Sequence, residues 1–211
     1  MISLPGGVDL EGFAHHRGSS FGRRAAAPPA QIDFENTLAL ALLRQRHAHP
    51  GAALFLEDES RQIGTLSIPL ELYHAMKAAP LVIVEMPLEF RIEQILRDYI
   101  GADLADYCQR DPHQGFTRFG EQLLASLGRI ARRLGDERFR VARQLMQEAL
   151  ERQARSGDDG AHRDWIELLL RHYYDPMYEY QLQKSSARVV YRGDYRAVHE
   201  WCLSTAQRAR R

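Results

Sequence analysis

Apolar residues follow two rhythms along this chain. Four compact runs, residues 7–10, 52–56, 81–84 and 187–191, are bounded by glycine, proline or charge, the pattern of parallel strands covered on both faces. Between the first three, the spacing is helical. Phe34, Leu38, Ala41 and Leu42 share one helix face behind an N-cap at Asp33, and Leu70, Tyr73 and Met76 share another that Pro69 opens. Strand, helix, strand, helix, strand predicts βαβ units and a parallel sheet.

After Val84 the helical rhythm takes over. Leu88, Ile92, Ile95, Leu96 and Tyr99 recur at three- and four-residue steps, as do Phe119, Leu123, Leu127, Ile130 and Leu134. Gly135-Asp136 breaks that helix and starts another carrying Val141, Leu145 and Ala149. Residues 156–160, Ser-Gly-Asp-Asp-Gly, form the clearest loop. Trp165, Leu168, Leu169 and Tyr173 begin the next helix, and Asp175-Pro176 reads as an N-cap followed by proline at the first helical position. The layout expected is an α/β core over residues 1–86, a mainly helical insertion over 87–185, and a closing strand and helix over 186–211.

Composition narrows the function classes. Over 211 residues, 28 basic and 28 acidic side chains balance, and 45% of residues are hydrophobic, enough to fill a core and unlike a polyanion-coating tail. Cys108 and Cys202 stand far apart, which excludes a cysteine-only zinc site and a disulfide scaffold and fits a reducing cytosol. No apolar run approaches the roughly 20 residues of a bilayer span, and no secretory leader is recognisable at the N-terminus. A cytoplasmic protein without a membrane partner is expected. Lys77 and Lys184 are the only lysines among the 28 basic residues. Coding bias is the plain reading of that arginine excess. Neither lysine follows a glycine, so no G-x-x-x-x-G-K-[ST] loop is present.

Two polar clusters lie where strands end. The first begins with Asp9-Leu10-Glu11-Gly12 at the end of the first run and continues with His15-His16-Arg17-Gly18-Ser19-Ser20-Phe21-Gly22-Arg23-Arg24, and Glu57-Asp58-Glu59-Ser60-Arg61 follows the second run. Ligands of open α/β sheets bind at carboxyl strand ends. The first cluster offers backbone amides, hydroxyls and guanidinium groups to a phosphate, or is a mobile polar loop. Adjacent histidines would face opposite ways on a strand, which argues against a metal pair. The second cluster has the form of a carboxylate that holds Mg²⁺ beside a phosphate, or of a solvated strand end where Arg61 neutralises its neighbours. The aromatic stretch 173–180 fits core packing better than stacking on unpaired bases. Arg132, Arg133, Arg138, Arg140 and Arg143 make a basic surface able to meet a phosphate backbone. No nucleophile constellation and no metal-ligand set is recognisable.

The strings Val8-Asp9-Leu10-Glu11-Gly12, His16-Arg17-Gly18-Ser19-Ser20-Phe21-Gly22, Phe34-Glu35-Asn36, Glu57 through Gly64 and Tyr174-Asp175-Pro176-Met177-Tyr178 together resemble the tRNA 2-selenouridine synthase family, in family order along nearly the whole chain. The resemblance implies an enzyme of tRNA modification, a transferase. It would replace sulfur by selenium in wobble 2-thiouridine through a geranylated intermediate, with geranyl diphosphate and selenophosphate as co-substrates and Mg²⁺ as an optional ion. It implies a fold of the α/β class, a P-loop-like parallel sheet lacking its first strand, with a helical insertion. His16, Arg17, Ser19, Ser20, Glu57, Asp58, Glu59 and Arg61 are the substrate-binding candidates that the resemblance transfers.

The family's rhodanese-like domain, its selenium-carrying cysteine, the first sheet strand and the phosphate loop have no counterpart here. No catalytic residue is therefore transferred, and this chain alone is expected to be inactive and to work with a rhodanese domain in trans. Unpaired buried backbone groups cost roughly 1–3 kcal/mol each, so an isolated chain with open sheet edges is expected to be unstable or to aggregate. The alternative is a non-catalytic module that grips tRNA or a diphosphate beside a separate rhodanese protein.

Overall fold

The computed structural model describes residue 4 and residues 6–208. The chain divides into two compact units, one of Met1–Met86 with Ala187–Arg211 and one of Pro87–Ser186. The protein is α/β, mostly helical, with a few short strands.

In the first unit, β1 (Gly7–Val8) runs parallel to β2 (Phe55–Leu56), pairing Gly7 with Phe55 and Val8 with Leu56. A second parallel pair joins β5 (Leu81–Val84) to β6 (Val189–Gly193). Between them in sequence, β3 (Gln62–Ile63) and β4 (Leu66–Ser67) make an antiparallel hairpin turning at Gly64, whose φ of +62° suits a residue without a side chain. Four helices complete the unit: α1 (Leu10–Phe13), α2 (Gln31–Ala48), α3 (Leu70–Ala78) and α10 (Tyr195–Arg208).

Alternation of side chains along each strand divides the core in two. Val8, Leu10, Phe34, Leu38, Ile63, Ile68 and Met76 are buried together with Leu56 packed against them, whereas Phe55 and Val82 pack against Val198 and Cys202 of α10. Helix α2 also serves two strand edges. The Gln45 amide accepts from Gly6 N–H at 3.1 Å and donates to the Gly7 carbonyl at 3.0 Å. Gln31 likewise donates to the Ser67 carbonyl at 2.7 Å and accepts from its N–H at 2.9 Å. Each glutamine stands in for a neighbouring strand, which removes an unpaired edge.

The second unit is helical throughout: α4 (Leu88–Ile95), α5 (Ala102–Arg110), α6 (Gly115–Leu134), α7 (Asp136–Ser156), α8 (His162–Leu169) and α9 (Asp175–Lys184). Phe119, Leu123, Leu127, Ile130 and Leu134 form the buried stripe of α6. Gly135, with φ +86°, turns the chain into α7. Asp103, Ser126, Gln153 and His162 are polar residues buried in this unit. His162 is fully buried, its Nδ1 accepts from the Trp165 indole N–H at 2.9 Å, and its Nε2–H donates to Gln153 Oε1 at 3.0 Å. Both ring nitrogens are satisfied in the neutral form, and burial lowers the imidazole to about 4.

Several sequence expectations are corrected. Leu10 does not extend the first strand, because the Asp9 carboxylate accepts from Gly12 N–H at 2.8 Å and caps a helical turn there. The run at 52–56 pairs only through Phe55 and Leu56. Helix α2 starts at Gln31, with Asp33 inside its first turn, not at the cap. Leu70 and Val141 are exposed; Ala149 is buried as expected, but Ala142 and Met146 take the places expected for Val141 and Leu145, with Leu150 and Gln153 completing the buried face of α7. Asp175 is no N-cap. Helix α8 runs into α9 through a widened turn at Leu170–Tyr174, where the looser winding accommodates the ring and missing N–H of Pro176. The Asp175 carboxylate instead accepts both guanidinium branches of Arg91, at 2.5 and 2.9 Å. In the aromatic stretch Tyr173 is buried, whereas Tyr178 and Tyr180 are exposed.

Candidate functional site

The two polar clusters meet at the carboxyl ends of β1 and β2. Glu57 leaves β2 and turns back, its Oε2 accepting from Leu10 N–H at 2.9 Å. That bond ties the end of one strand to the helical turn that follows the other. From α1 the chain reverses at His15, the one non-glycine with positive φ (51°) among the described residues. His16 then forms a bridge to Arg23 that closes the loop.

Inside the loop the backbone is largely self-satisfied. Arg17 N–H donates to the Gly22 carbonyl at 3.0 Å, Gly22 N–H to the Ser19 carbonyl at 2.9 Å, Ser19 N–H to the Arg17 carbonyl at 2.5 Å, and Phe21 N–H to Ser19 Oγ at 3.2 Å. The expectation of a phosphate cradle of backbone amides is corrected here, because four of those amides are already engaged. Ser19 shapes the turn, and His16, Arg17 and Ser20 are half-buried beside it.

Gly18 explains why the loop needs a glycine. Its φ is +58°, and a Cβ there would lie 2.4 Å from Glu59 Oε1 and 2.9 Å from Glu11 Oε1. The loop backbone therefore rests directly on two carboxyl groups. On its other side the His16 ring lies against Gly64, where a Cβ would come within 2.7 Å of His16 Cδ2. Loop 16–22, the segment 57–59 and the hairpin turn thus form one surface.

Carboxyl groups dominate its electrostatics. Burial pushes Glu11 up to about 8, helped by the charge of Glu59, with which it shares a hydrogen bond, and more weakly by Glu57 and Asp9. Burial also raises Glu59, against its hydrogen bond with Glu11 and the charge of Lys77. Glu57 is raised by burial, with the Leu10 amide opposing. At neutral pH the Glu11–Glu59 pair retains a proton, which lowers the negative charge that an approaching phosphate would meet. Glu11 belongs to the first polar string of the sequence but was not among the substrate-binding candidates, because its pairing with Glu59 joins two distant strings.

The remaining candidates separate. Asp58 is exposed and pairs with Lys77 at 2.6 Å, with Arg188 at 3.8 Å. Arg61 is exposed and contributes its carbonyl to Ile68 N–H at 2.8 Å. Lys77, not Arg61, therefore neutralises the acidic string. Carboxylate oxygens such as those of Glu57 and Glu59 suit a hard cation like Mg²⁺, which takes one or two carboxylates together with phosphate oxygens. No group of three His, Cys, Asp or Glu side chains arranged to hold a metal ion occurs among the described residues.

A polar loop folded over strand-end carboxylates, at the carboxyl end of parallel strands, is the layout of an α/β ligand-binding protein. Comparison with known proteins makes the class specific. A family model described as the tRNA 2-selenouridine synthase AAA domain matches residues 1–209, and the chain belongs to that family. It is 51% identical over 202 residues to a tRNA 2-selenouridine synthase of Hahella chejuensis, covering 95% of this chain and 53% of that relative. It is 50% identical over 202 residues to one of Pseudomonas fluorescens (95% and 54%) and 44% identical over 211 residues to one of Cupriavidus necator (99% and 57%). The chain thus spans about half the length of these curated relatives. No solved structure matches it. No helix among the described residues is long and apolar enough to cross a membrane.

Proposed function

We propose that this chain is the substrate-binding part of an enzyme that replaces sulfur by selenium in the wobble 2-thiouridine of tRNA. In this reading a geranyl group moves from geranyl diphosphate to the thiouridine sulfur, with diphosphate leaving, and selenium from selenophosphate then replaces the geranylated sulfur, which leaves as a geranyl thiol while the selenium–phosphorus bond breaks and phosphate is released. Family membership supports the tRNA chemistry. The observation that carries the site assignment is the seating of loop 16–22 on Glu11 and Glu59. That seating holds His16, Arg17 and Ser20 together over one surface, with Ser19 fixing the turn.

The guanidinium of Arg17 and the hydroxyl of Ser20 bind phosphate oxygens, and Glu57 and Glu59 stand ready to share a Mg²⁺ with them. The anticodon loop is held through its backbone by Arg132, Arg133, Arg138, Arg140 and Arg143, all exposed and none ion-paired among the described residues. The selenium-carrying cysteine comes from a rhodanese domain outside these 211 residues, so the chain alone is inactive. Burial in α10 raises the Cys202 thiol, which is the opposite of what a nucleophile needs. Two separate parallel pairs support the finer fold reading, a P-loop-like sheet without its first strand.

The test is a titration of the 211-residue chain with geranyl diphosphate and, separately, with tRNA. Arg17→Ala is expected to weaken geranyl diphosphate binding roughly tenfold, the worth of a charge-assisted hydrogen bond, and to leave tRNA affinity unchanged. A joint Arg132→Ala, Arg133→Ala variant is expected to do the reverse and to flatten the salt dependence of tRNA binding. Unchanged diphosphate affinity in Arg17→Ala removes the loop from the site.

A further inference from the structure

We propose that helix α9 is a stacking platform for unpaired RNA bases, with Tyr178 as the outer ring of a tyrosine ladder and Tyr180, beside Lys184, as a second ring. The proposal deepens the reading of this chain as a tRNA-binding protein and rests on it.

Packing along one continuous helix carries the argument. Trp165, Ile166 and Leu169 of α8 are buried, as are Leu170 and Tyr173 of the widened turn. There the anchoring stops, because no residue of α9 is buried. Its ten residues, about 15 Å at 1.5 Å per residue, continue the helix past its core. A helical end without packing is normally polar, yet α9 carries Met177, Tyr178, Tyr180 and Leu182. Tyr178 and Tyr180 are 57% and 59% exposed. Rings of that size hold a large apolar area in water until something covers them.

The tyrosines before them are arranged in order of burial. Tyr173, in the core, meets Tyr174 edge-on, with centroids 4.9 Å apart and planes at 86°. Tyr174 in turn lies nearly parallel to Tyr178, at 6.4 Å and 23°. The ladder runs from core to solvent, so its outer ring is backed by one that is fixed. Two residues further, on the other side of the helix, Tyr180 has the Lys184 ammonium over its ring at 4.2 Å. Aromatic faces beside a cation suit unpaired nucleotides, whose bases all present a π-face and whose phosphates accept a positive charge. The acids of the segment do not oppose this. Asp175 is held by both guanidinium branches of Arg91, and Lys184 balances Glu179.

The placement favours RNA over a protein groove. A helix that docks in such a groove buries one stripe, at i, i+3, i+4 and i+7. Met177 and Leu182 are already half-buried, and the two exposed rings stand on different sides of α9. Phosphate contacts such as those assigned to Arg132 and Arg133 position a nucleic acid without reading its bases. A protein that modifies a nucleotide in a loop also needs somewhere to hold unstacked bases, and α9 supplies it.

The probe is a tRNA anticodon stem-loop carrying a fluorescent base analogue in its loop, set against a fully paired RNA duplex of the same length. Each is titrated with the full 211-residue chain. Tyr178→Leu is expected to weaken stem-loop binding roughly tenfold, the worth of one base stacked on an aromatic ring, and to leave duplex binding unchanged. The analogue is expected to be quenched by the wild-type chain and to stay bright with Tyr178→Leu. Tyr178→Trp is expected to keep both wild-type values, and Tyr180→Leu to behave as Tyr178→Leu does. A stem-loop affinity that either leucine variant retains overturns the inference, since apolar area without a ring then suffices and a protein partner fits the face as well. Equal losses for stem-loop and duplex overturn it too. So does a lowered denaturant midpoint at Trp165 in either leucine variant, which makes the ring a structural one. The joint Arg132→Ala, Arg133→Ala variant separates the two readings. If it weakens stem-loop and duplex alike while the tyrosine variants change nothing, tRNA binding stands and the platform falls. If the wild-type chain binds neither RNA, both fall.

Discussion

The α/β unit and the helical unit bury polar groups by opposite means. In the first, Glu11 and Glu59 lie under Gly18 with a proton shared between them, and Glu11 is raised to about 8. In the second, His162 is enclosed as a neutral ring, hydrogen-bonded at both nitrogens and lowered to about 4. The helical unit satisfies its backbone within its own helices. The α/β unit must borrow side chains, Gln31 and Gln45, to close strand edges. Self-sufficient secondary structure leaves a unit free to spend few residues on polar contacts, whereas short strands make every edge a separate problem.

Each unit contains one tryptophan, Trp165 in the helical unit and Trp201 in the other, so fluorescence can follow the two separately. The largest expected effect is on the helical unit. Phe119 is 2% exposed, and Phe119→Ala is expected to cost about 3–5 kcal/mol, read as a lower denaturant midpoint at Trp165. An equal loss at Trp201 would mean that the units melt as one.

Next comes Gly18→Val. The left-handed backbone alone costs an ordinary residue roughly 1–2 kcal/mol, and the added side chain would also meet the carboxyl group of Glu59. The midpoint at Trp201 should fall and that at Trp165 should hold. If neither moves, loop 16–22 is not seated on the carboxyl pair.

The smallest effect is the sharpest discriminator, because its sign differs between units. Glu11 has a folded value near 8 against an ordinary 4.5. Between those pH values the folded state holds a proton that the unfolded state has released. Its contribution is intact below 4.5 and is lost as pH rises toward 8. His162 has a folded value near 4 against 6.5. Here the unfolded state takes up the proton first, so stability is intact above 6.5 and is lost as pH falls toward 4. The midpoint at Trp201 should therefore decline from pH 5 to 8, and that at Trp165 from pH 7 to 4. Glu11→Gln should flatten the first profile and leave the second unchanged. Parallel profiles would show that the carboxyl pair does not retain its proton.

Much of this architecture was readable in advance, and the misses have local causes. The stripe on α6 and the strand at 81–84 lie where spacing placed them, because apolar periodicity directly encodes which face is buried. The hairpin at 62–67 went unread because two-residue strands are too short to show alternation. On α7 Ala149 is buried as its spacing predicts, but Val141 and Leu145 were placed one position short of Ala142 and Met146, because an alanine carries little apolar signal. At the site, both polar clusters were visible as strings. Their roles were not: Asp58 turns to Lys77, and Ser19 spends its hydroxyl on the turn.

Periodicity, turn residues and charge order are properties of neighbouring positions, so one dimension is enough to specify α6, the break at Gly135 and the acidic end of β2. Contacts such as Gly18 on Glu59 or Gln45 on Gly7 join positions that are 41 and 38 residues apart. They arise when the chain returns on itself and packing settles which backbone groups are met. That is why the carboxyl pair under Gly18 and the glutamine-capped strand edges emerge from the folded arrangement, while the helices that surround them are written in the spacing of leucines.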